Sequence, residues 1–342
     1  PRREQILNGL ATGSLPLVIG THAVFQESVS FKELKLAVVD EQHRFGVNQR
    51  LRLAEKGQGT HVLLMSATPI PRSLTMTLFG DMDVSILREK PAGRLEIKTS
   101  ASPLSRYEKV MQSIEAALER GEKIYWICPL VEESETVDSD LAAAVDRHCE
   151  FSQRFGKLTN VTLVHGQIKG EAREAEMQRF ASGDSQLLVA TTVVEVGVDV
   201  PDATIMVIEH AERFGLSQLH QLRGRVGRSD KPSSCLLLYA DKVGETSLER
   251  LRVMRESNDG FYLAEEDLRL RGSGEVLGTR QSGMPSFKFA DLPRDQTLLK
   301  AARDEVKLIL HHDADLESER GQALRLLLYI FGQDEKLRFL KS

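Results

Sequence analysis

The sequence predicts an α/β fold: two parallel-sheet lobes, the first incomplete, then a helical hairpin with a loop, then further helices. Three observations predict it. Apolar runs of strand length alternate with helical stripes, the pattern of a doubly wound parallel sheet. A long segment of the chain is nearly repeated. The apolar runs end on polar residues, among them Thr21, Asp40, Ser66 and Thr191, and in such sheets ligands bind at the carboxyl ends of the strands.

Size and composition allow this. The chain has 342 residues, room for two or three domains of ~100–200 residues each. It is 41% hydrophobic and 28% charged, enough to build a core and a charged surface. A net charge of −5 argues against a wholesale nucleic-acid coat, though a local basic face can sit within an acidic total. Cys128, Cys149 and Cys235 show no metal spacing and read as reduced residues of a cytoplasmic protein. No apolar run reaches the ~18 residues of a membrane span, and no signal peptide opens the chain. "PRREQILNGLATG" reads as a start in mid-helix without an initiator Met, as in a piece of a longer protein.

The repeat has two blocks. "VVDEQHRFG", Val38 to Gly46, returns as "VIEHAERFG", Val207 to Gly215. "RREQILNGLATGSLPLVIGT" lies on "AREAEMQRFASGDSQLLVAT" at almost the same offset, pairing Gly13 with Gly183 and Thr21 with Thr191. Both copies read helix, Gly stop, short apolar strand, polar tip. Leu7 and Leu10, like Met177 and Phe180, fall three apart on one helical face. A glycine past the last turn ends a helix in the left-handed region with little strain.

In chain order, residues 1–87 form the first lobe, with "LPLVIG", Leu36–Val39 and "HVLLMSATPIP" as strands. Their continuous apolar character suits strands buried on both faces. Residues 88–103 carry two prolines and a glycine without a helical stripe and read as a linker. Residues 104–245 form the second lobe. It opens with a helix from about Ser105 to Arg120, and "KIYWIC", "VTLVH", "QLLVAT", "TIMVIEH" and "SCLLLYA" are its strands. "EESETVDSD", Glu132 to Asp140, reads as a solvated acidic loop. Residues 246–295 read as a helical hairpin followed by a loop, "GSGEVLGTRQSG", with four glycines in twelve residues. Residues 296–342 read as helices packed on the second lobe.

The chemistry sits at the strand tips. Asp40 and Glu41 follow Leu36–Val39. An aspartate there can hold Mg²⁺ beside nucleotide phosphates, and the next carboxylate can orient or deprotonate water. Adjacent acids are common on surfaces, but an apolar strand in front places this pair at the binding edge. The second copy reads Glu209-His210 and need keep no hydrolytic chemistry. What the second lobe offers is positive charge: "QLHQLRGRVGRS" holds Arg223, Arg225 and Arg228. Arginines reaching a γ-phosphate stabilise charge in phosphoryl transfer. One nucleotide between the lobes would use both sets.

Taken together, "DEQH", "SATPIPR", "ATTVVEVGVDVPDA" and "QLHQLRGRVGR" resemble, in order and spacing, the motifs of superfamily 2 helicases, whose lobes are RecA-like. "DEQHRFGVNQR", "GDMDVS", "HGQIKGEARE" and the tail "RLRVMRESNDGFYLAEEDLRLRGSGEVLGTRQSG" are similar to the RecG branched-DNA helicase family. The transcription-repair coupling factor shares that tail, but its hydrolysis motif usually reads DEEH, where this chain has Gln42.

The resemblance implies an ATP- and Mg²⁺-dependent translocase on branched and duplex DNA, at replication forks and Holliday junctions, in a bacterial cytoplasm. A single-stranded-DNA-binding protein is a candidate partner, and the parent protein is expected to be a monomer. By the same resemblance Asp40 holds Mg²⁺ and Glu41 activates water. Gln42 and His43 sense the nucleotide, Gly197 and Asp199 line the cleft, and Arg225 and Arg228 are the fingers. Ser66 and Thr68 couple ATP to DNA. Thr21, His22, Thr191 and Thr192 lie where DNA phosphates are held, although His22 alone also reads as an ordinary loop histidine. Arg250, Arg271 and Gln281 match positions that turn lobe closure into pulling on DNA.

No G-x-x-x-x-G-K-[ST] loop occurs in the sequence. That loop would cradle the phosphates, so this chain alone is expected to be inactive, with a first lobe prone to self-association at an uncovered sheet edge. The competing reading is a non-enzymatic duplicated α/β scaffold that binds DNA or protein.

Overall fold

The structure, a computed structural model, describes residues 2–26, 28–41, 56–57, 59–67, 83–87, 89, 93–129, 138–168, 170–191, 200–278 and 295–331. In the first lobe, helix α1 (Arg2–Thr12) stops at Gly13, which takes φ 77°. Strands β1 (Leu36–Val39) and β2 (His61–Leu64) run parallel, Leu36 beside His61 and Val39 beside Leu64. Ala37 and Val39 are buried against Phe25, Val62 and Leu64. Leu36 and Val38, pointing the other way, are exposed, as the period-two alternation of a strand requires. Lys56 Nζ donates to the carbonyls of Gln26 and Val29, both at 2.6 Å, and ties the preceding turn to this sheet.

Leu15–Gly20 departs from the expectation of a strand. It has no regular structure, and Leu17 and Ile19 are exposed. A strand exists through a neighbour's backbone, and among the described residues β1 and β2 pair only with each other.

The second lobe is a six-stranded sheet. Its strands are β3 (Lys98–Pro103), β4 (Lys123–Ile127), β5 (Asn160–Val164), β6 (Ser185–Ala190), β7 (Ala203–Ile208) and β8 (Ser234–Tyr239). They are ordered β3-β8-β7-β4-β6-β5, with every described pairing parallel. Alternation along β4 divides the core. Ile124 and Trp126 pack with α2 (Tyr107–Glu119) and α3 (Asp138–Phe155), through Met111, Ile114, Phe151 and Phe155. Tyr125 and Ile127 face the opposite layer. That layer holds α4 (Glu171–Ser182), α5 (Leu216–Arg223), α6 (Glu245–Glu256) and α7 (Gly260–Gly278). Such two-sided cover is what parallel sheets require. α2, the helix expected from about Ser105 to Arg120, buries Val110, Met111, Ile114 and Leu118.

The backbone bears out the internal repeat at two separate points. Gly183 ends α4 with φ 93°, as Gly13 ends α1. Glu41 and His210, paired by the register of the repeat, are both left-handed, with φ 52° and 50°.

Four further corrections concern the segments between and after the lobes. The linker reading covered 88–103, but Lys98–Pro103 is β3, paired along its length with β8. Its small and hydroxylated residues hid an edge strand held by backbone bonds. The acidic loop was read to Asp140, but Asp138–Asp140 open α3. The glycine loop is helical through Gly278. The side chain of Asp259 accepts from Phe261 N at 2.9 Å and caps α7. Once the helix is seeded, each interior glycine costs only ~1 kcal/mol. Last come α8 (Gln296–His312) and α9 (Glu319–Ile330). They were expected to pack on the second lobe, but Leu298, Val306, Leu326, Tyr329 and Ile330 are exposed.

Candidate active site

Asp40 is the first residue beyond β1. Met65 N donates to Val39 O at 2.8 Å, extending the β1–β2 pairing by one step. This brings Ser66, half-buried, to the same carboxyl edge as Asp40. Glu41 N donates to Asp40 Oδ1 at 2.8 Å, which fixes the carboxylate against its own turn. The left-handed backbone at Glu41 costs ~1–2 kcal/mol for an L residue, and such strain concentrates at functional sites. Asp40 is exposed. An exposed carboxylate at a strand end fits Mg²⁺, which takes one or two carboxylates and fills its remaining positions with water and phosphate oxygens.

The second lobe has converted the same position into structure. Glu209, at the register of Asp40, is only 5% exposed. Its carboxylate pairs with Arg147 Nη2 and accepts from Arg147 Nε at 3.1 Å and from Trp126 Nε1 at 2.9 Å. Arg147 Nη1 also reaches Glu150 Oε2 at 2.5 Å and the Tyr107 hydroxyl at 2.9 Å, and the hydroxyl donates to Glu150 Oε1 at 2.8 Å. Burial and the bond to Glu150 raise the Tyr107 phenol above its usual range. Burial alone would lower Arg147, but the bonds and charge of Glu209 and the Glu150 contact outweigh it and hold the guanidinium protonated. Beside them lies a cavity of about 360 Å³, lined by Cys128, Arg147, Glu150, Glu209, His210 and Arg213. Burial and the Glu209 charge push the Cys128 thiol up to about 12. A guanidinium thus neutralises the acid here. Sequence reading missed Arg147, and its one available signal was Glu209 itself, an acid closing an apolar run and so in need of a cation.

The arginine turn follows α5. Arg225 and Arg228 are half-buried, and Arg228 Nε donates to Gly224 O at 3.0 Å. Gly227 takes φ 71°, and a Cβ there would lie 2.8 Å from Ile97 Cγ1, so glycine is needed on both counts. Arg223 departs from the sequence reading that grouped it with the other two. It is 2% exposed and turned into the lobe.

The remaining predicted positions separate. Thr21 is exposed ahead of a 3₁₀ turn that begins at His22. Thr191 follows β6 but is 2% exposed, which leaves its hydroxyl almost no surface for a DNA phosphate. Arg250 lies half-buried on α6, and its Nε has no hydrogen-bond partner among the described residues. Arg271 lies on α7. Arg269, on the same helix, is paired with Glu266 and Glu249. Gln42, His43, Thr68, Thr192, Gly197, Asp199 and Gln281 lie outside the described residues. Among the described residues no cluster of His, Cys, Asp or Glu forms a protein-only metal cage, and no helix is long and apolar enough to cross a membrane.

Comparison with known proteins finds helicase models along the chain. Residues 1–77 match the DEAD/DEAH box helicase model, 105–230 the helicase conserved C-terminal domain, and 257–327 the C-terminal part of domain 3 of ATP-dependent DNA helicase RecG. The chain is 49% identical to the ATP-dependent DNA helicase RecG of Bacillus subtilis over 95% of its own length and 47% of that protein. To the RecG of Escherichia coli K12 it is 47% identical, over 92% of the chain and 45% of the relative. It therefore spans about half the length of these curated relatives. A structure of RecG bound to a three-way DNA junction aligns with a TM-score of 0.65 and 43% identity, over 87% of this chain and 38% of that one. Saccharomyces cerevisiae Dbp5 bound to RNA and ADP BeF3 aligns at 0.50 with 14% identity, over 83% and 66%, a likeness of fold alone. With identity near one half along almost all of its residues, and with the RecG domain model matched over the helices that follow the second lobe, the chain belongs to the RecG helicase family.

Proposed function

We propose that this chain carries the motor of an ATP-dependent DNA helicase acting on branched DNA. The observation that carries the reading is the acid pair Asp40-Glu41, set at the carboxyl edge of β1 beside the end of β2, in a chain about half identical to proteins named as RecG helicases. Family membership supports the substrate, since one such relative is described bound to a three-way DNA junction. ATP with Mg²⁺ supplies the phosphoryl chemistry when bound.

The roles of the chain's own residues are those the family resemblance implies, supported for Asp40 by its place at the end of β1. Asp40, exposed and fixed by Glu41 N, offers a hard oxygen donor to the metal. Glu41 orients the attacking water and takes its proton. Arg225 and Arg228 bring positive charge to the γ-phosphate from the second lobe. Ser66 links the nucleotide edge to DNA. Gln42, His43, Gly197 and Asp199 complete the cleft, and Thr68, Thr192 and Gln281 join Thr21, Arg250 and Arg271 in moving DNA. A single-stranded-DNA-binding protein as partner, a monomeric state and a bacterial cytoplasmic location belong to the same reading.

The test is ATP hydrolysis and strand separation by the natural protein carrying this sequence, on a three-way junction and on linear duplex. Hydrolysis stimulated by DNA, with strands separated at the junction and not on the blunt duplex, is expected. Absence of DNA-stimulated hydrolysis on either substrate would refute the reading.

A further inference from the structure

Gly224 and Gly227 bracket Arg225 and Val226 in the arginine turn, and glycine allows a backbone more freedom than any other residue. Arg225 N donates to Leu222 O at 3.0 Å, Val226 N to Arg223 O at 3.2 Å and Arg228 Nε to Gly224 O at 3.0 Å. These bonds give the turn its shape. They close on the turn itself or on the end of α5, so they do not set where it stands on the lobe.

Val226 and Ile97 do that. Val226 is 1% exposed and belongs to the core beneath α4 to α7. Ile97, half-buried, packs against the same core. It is the residue before β3, at the end of the segment between the lobes. Its backbone is held from the next residue on: Lys98 N donates to Ser233 O at 3.0 Å, and β3 then pairs with β8 along its length. From there the Ile97 side chain occupies the space over Gly227. A Cβ at Gly227 would stand 2.8 Å from Ile97 Cγ1, 3.0 Å from Ile97 Cδ1 and 3.9 Å from Ser233 Cβ. The first two distances lie well inside the ~3.5–4.0 Å of a good carbon–carbon contact. Gly227 is therefore a notch and Ile97 fills it, and a close-packed contact of this kind leaves little play.

We propose that Ile97 is a positioning residue for Arg225 and Arg228, seated in the notch of Gly227 so that the turn holds both arginines at one fixed place on the lobe. This rests on the helicase reading above and adds to it a residue that lies outside the arginine motif by more than a hundred positions in the chain. Groups that stabilise a transition state act best when already in place, and a misplacement of ~1 Å can cost about 10²-fold in rate. Shortening Ile97 should slow hydrolysis through the arginines and leave ATP binding nearly intact.

The experiment measures DNA-stimulated ATP hydrolysis by the natural protein as wild type, Ile97→Val and Ile97→Ala. Each is also made in an Arg225→Ala, Arg228→Ala background, and rates are taken per folded molecule, counted by circular dichroism. For Ile97→Ala, kcat lower by about tenfold with KM for ATP within about threefold of wild type is expected. Ile97→Val keeps both carbons on Cβ and should stay within about twofold of wild type, because packing losses scale with the atoms removed. In the arginine-free background Ile97→Ala should change kcat by less than about twofold, since the groups it acts through are gone. An equal fall in both backgrounds overturns the proposal, because general damage to the lobe would produce it. A raised KM with kcat unchanged also overturns it. If Ile97→Ala does not fold, Ile97→Leu decides, since it moves the branch away from Cβ at constant volume. Its kcat should fall only where the arginines are present, and an unchanged kcat or an equal fall in both backgrounds overturns the proposal. A wild type without DNA-stimulated hydrolysis refutes the helicase reading and this inference with it. An active wild type with unaltered kcat in Ile97→Ala refutes this inference alone.

Discussion

Arg147 clasps Glu209 with two of its guanidinium nitrogens at the point where the second lobe repeats the position of Asp40. The same fold position therefore serves two ends. In the first lobe the acid is exposed and fit to meet a metal. In the second it is buried, and a side chain supplies the cation.

Breaking this pair from one side should be expensive. Glu209→Ala leaves Arg147 without its main partner, and Arg147→Ala leaves a buried carboxylate; each should cost about 3 kcal/mol, the usual penalty for orphaning a buried charge. Arg147→Met with Glu209→Leu should recover most of the loss. Trp126, the one tryptophan of the sequence, packs against Phe151 and bonds to Glu209, so denaturant unfolding followed by its fluorescence reads the second lobe directly. Single variants within about 0.5 kcal/mol of wild type, the scale of a surface substitution, would contradict this account of the network.

Gly227 and Gly170 separate backbone strain from packing. Both have positive φ, 71° and 57°. A Cβ at Gly170 meets open space, whereas at Gly227 it meets Ile97. Gly170→Ala should cost a backbone term alone of about 1–3 kcal/mol, since φ 57° with ψ −133° lies outside the left-handed helical well, and Gly227→Ala should add about 1–3 kcal/mol of overpacking to its own backbone term. Urea unfolding of both variants checks the difference. Equal losses would mean that Ile97 gives way freely.

The cysteines should differ sharply in reactivity. Cys149 is exposed, and Cys128 and Cys235 are buried. Burial first, then the Glu209 charge for Cys128, pushes both thiols up to about 12. A raised pKa leaves less thiolate at any given pH, about one part in ten thousand at pH 8. Iodoacetamide at pH 8 followed by peptide mapping should modify Cys149 alone in the folded chain. Rapid labelling of Cys128 under native conditions would show that the Glu209 cavity is open.

How much was legible in the sequence depends on where each element finds its partners. Strands β4 to β8 of the second lobe were readable because each is a short apolar run, and Val110, Met111, Ile114 and Leu118, at helical spacing, lie on the buried face of α2. The repeat was readable as well, and Gly13 with Gly183 and Glu41 with His210 repeat it in the backbone. Leu15–Gly20 carries the strand signal without a strand, because pairing is a property of neighbours and the run contains none. Lys98–Pro103 shows the converse, a strand with little apolar signal, held by the edge of β8. The carboxylates and the arginine turn could be named from spacing. The Arg147–Glu209 pair and the inward turn of Arg223 could not, because each depends on a partner distant in sequence: Glu209 is 62 residues from Arg147, and Met254 is 31 from Arg223.

The central claim is that Asp40 and Glu41 act with Arg225 and Arg228 on one nucleotide. The most direct measurement is DNA-stimulated ATP hydrolysis by the natural protein in three forms: wild type, Glu41→Gln, and Arg225→Ala with Arg228→Ala. The account predicts that Glu41→Gln loses about 10²–10⁴ in kcat, the range of a general base. It predicts a loss of about 10³ or more for the paired arginine variant, the range of arginine fingers, with ATP binding retained in both. Hydrolysis at the wild-type rate in either variant would contradict it.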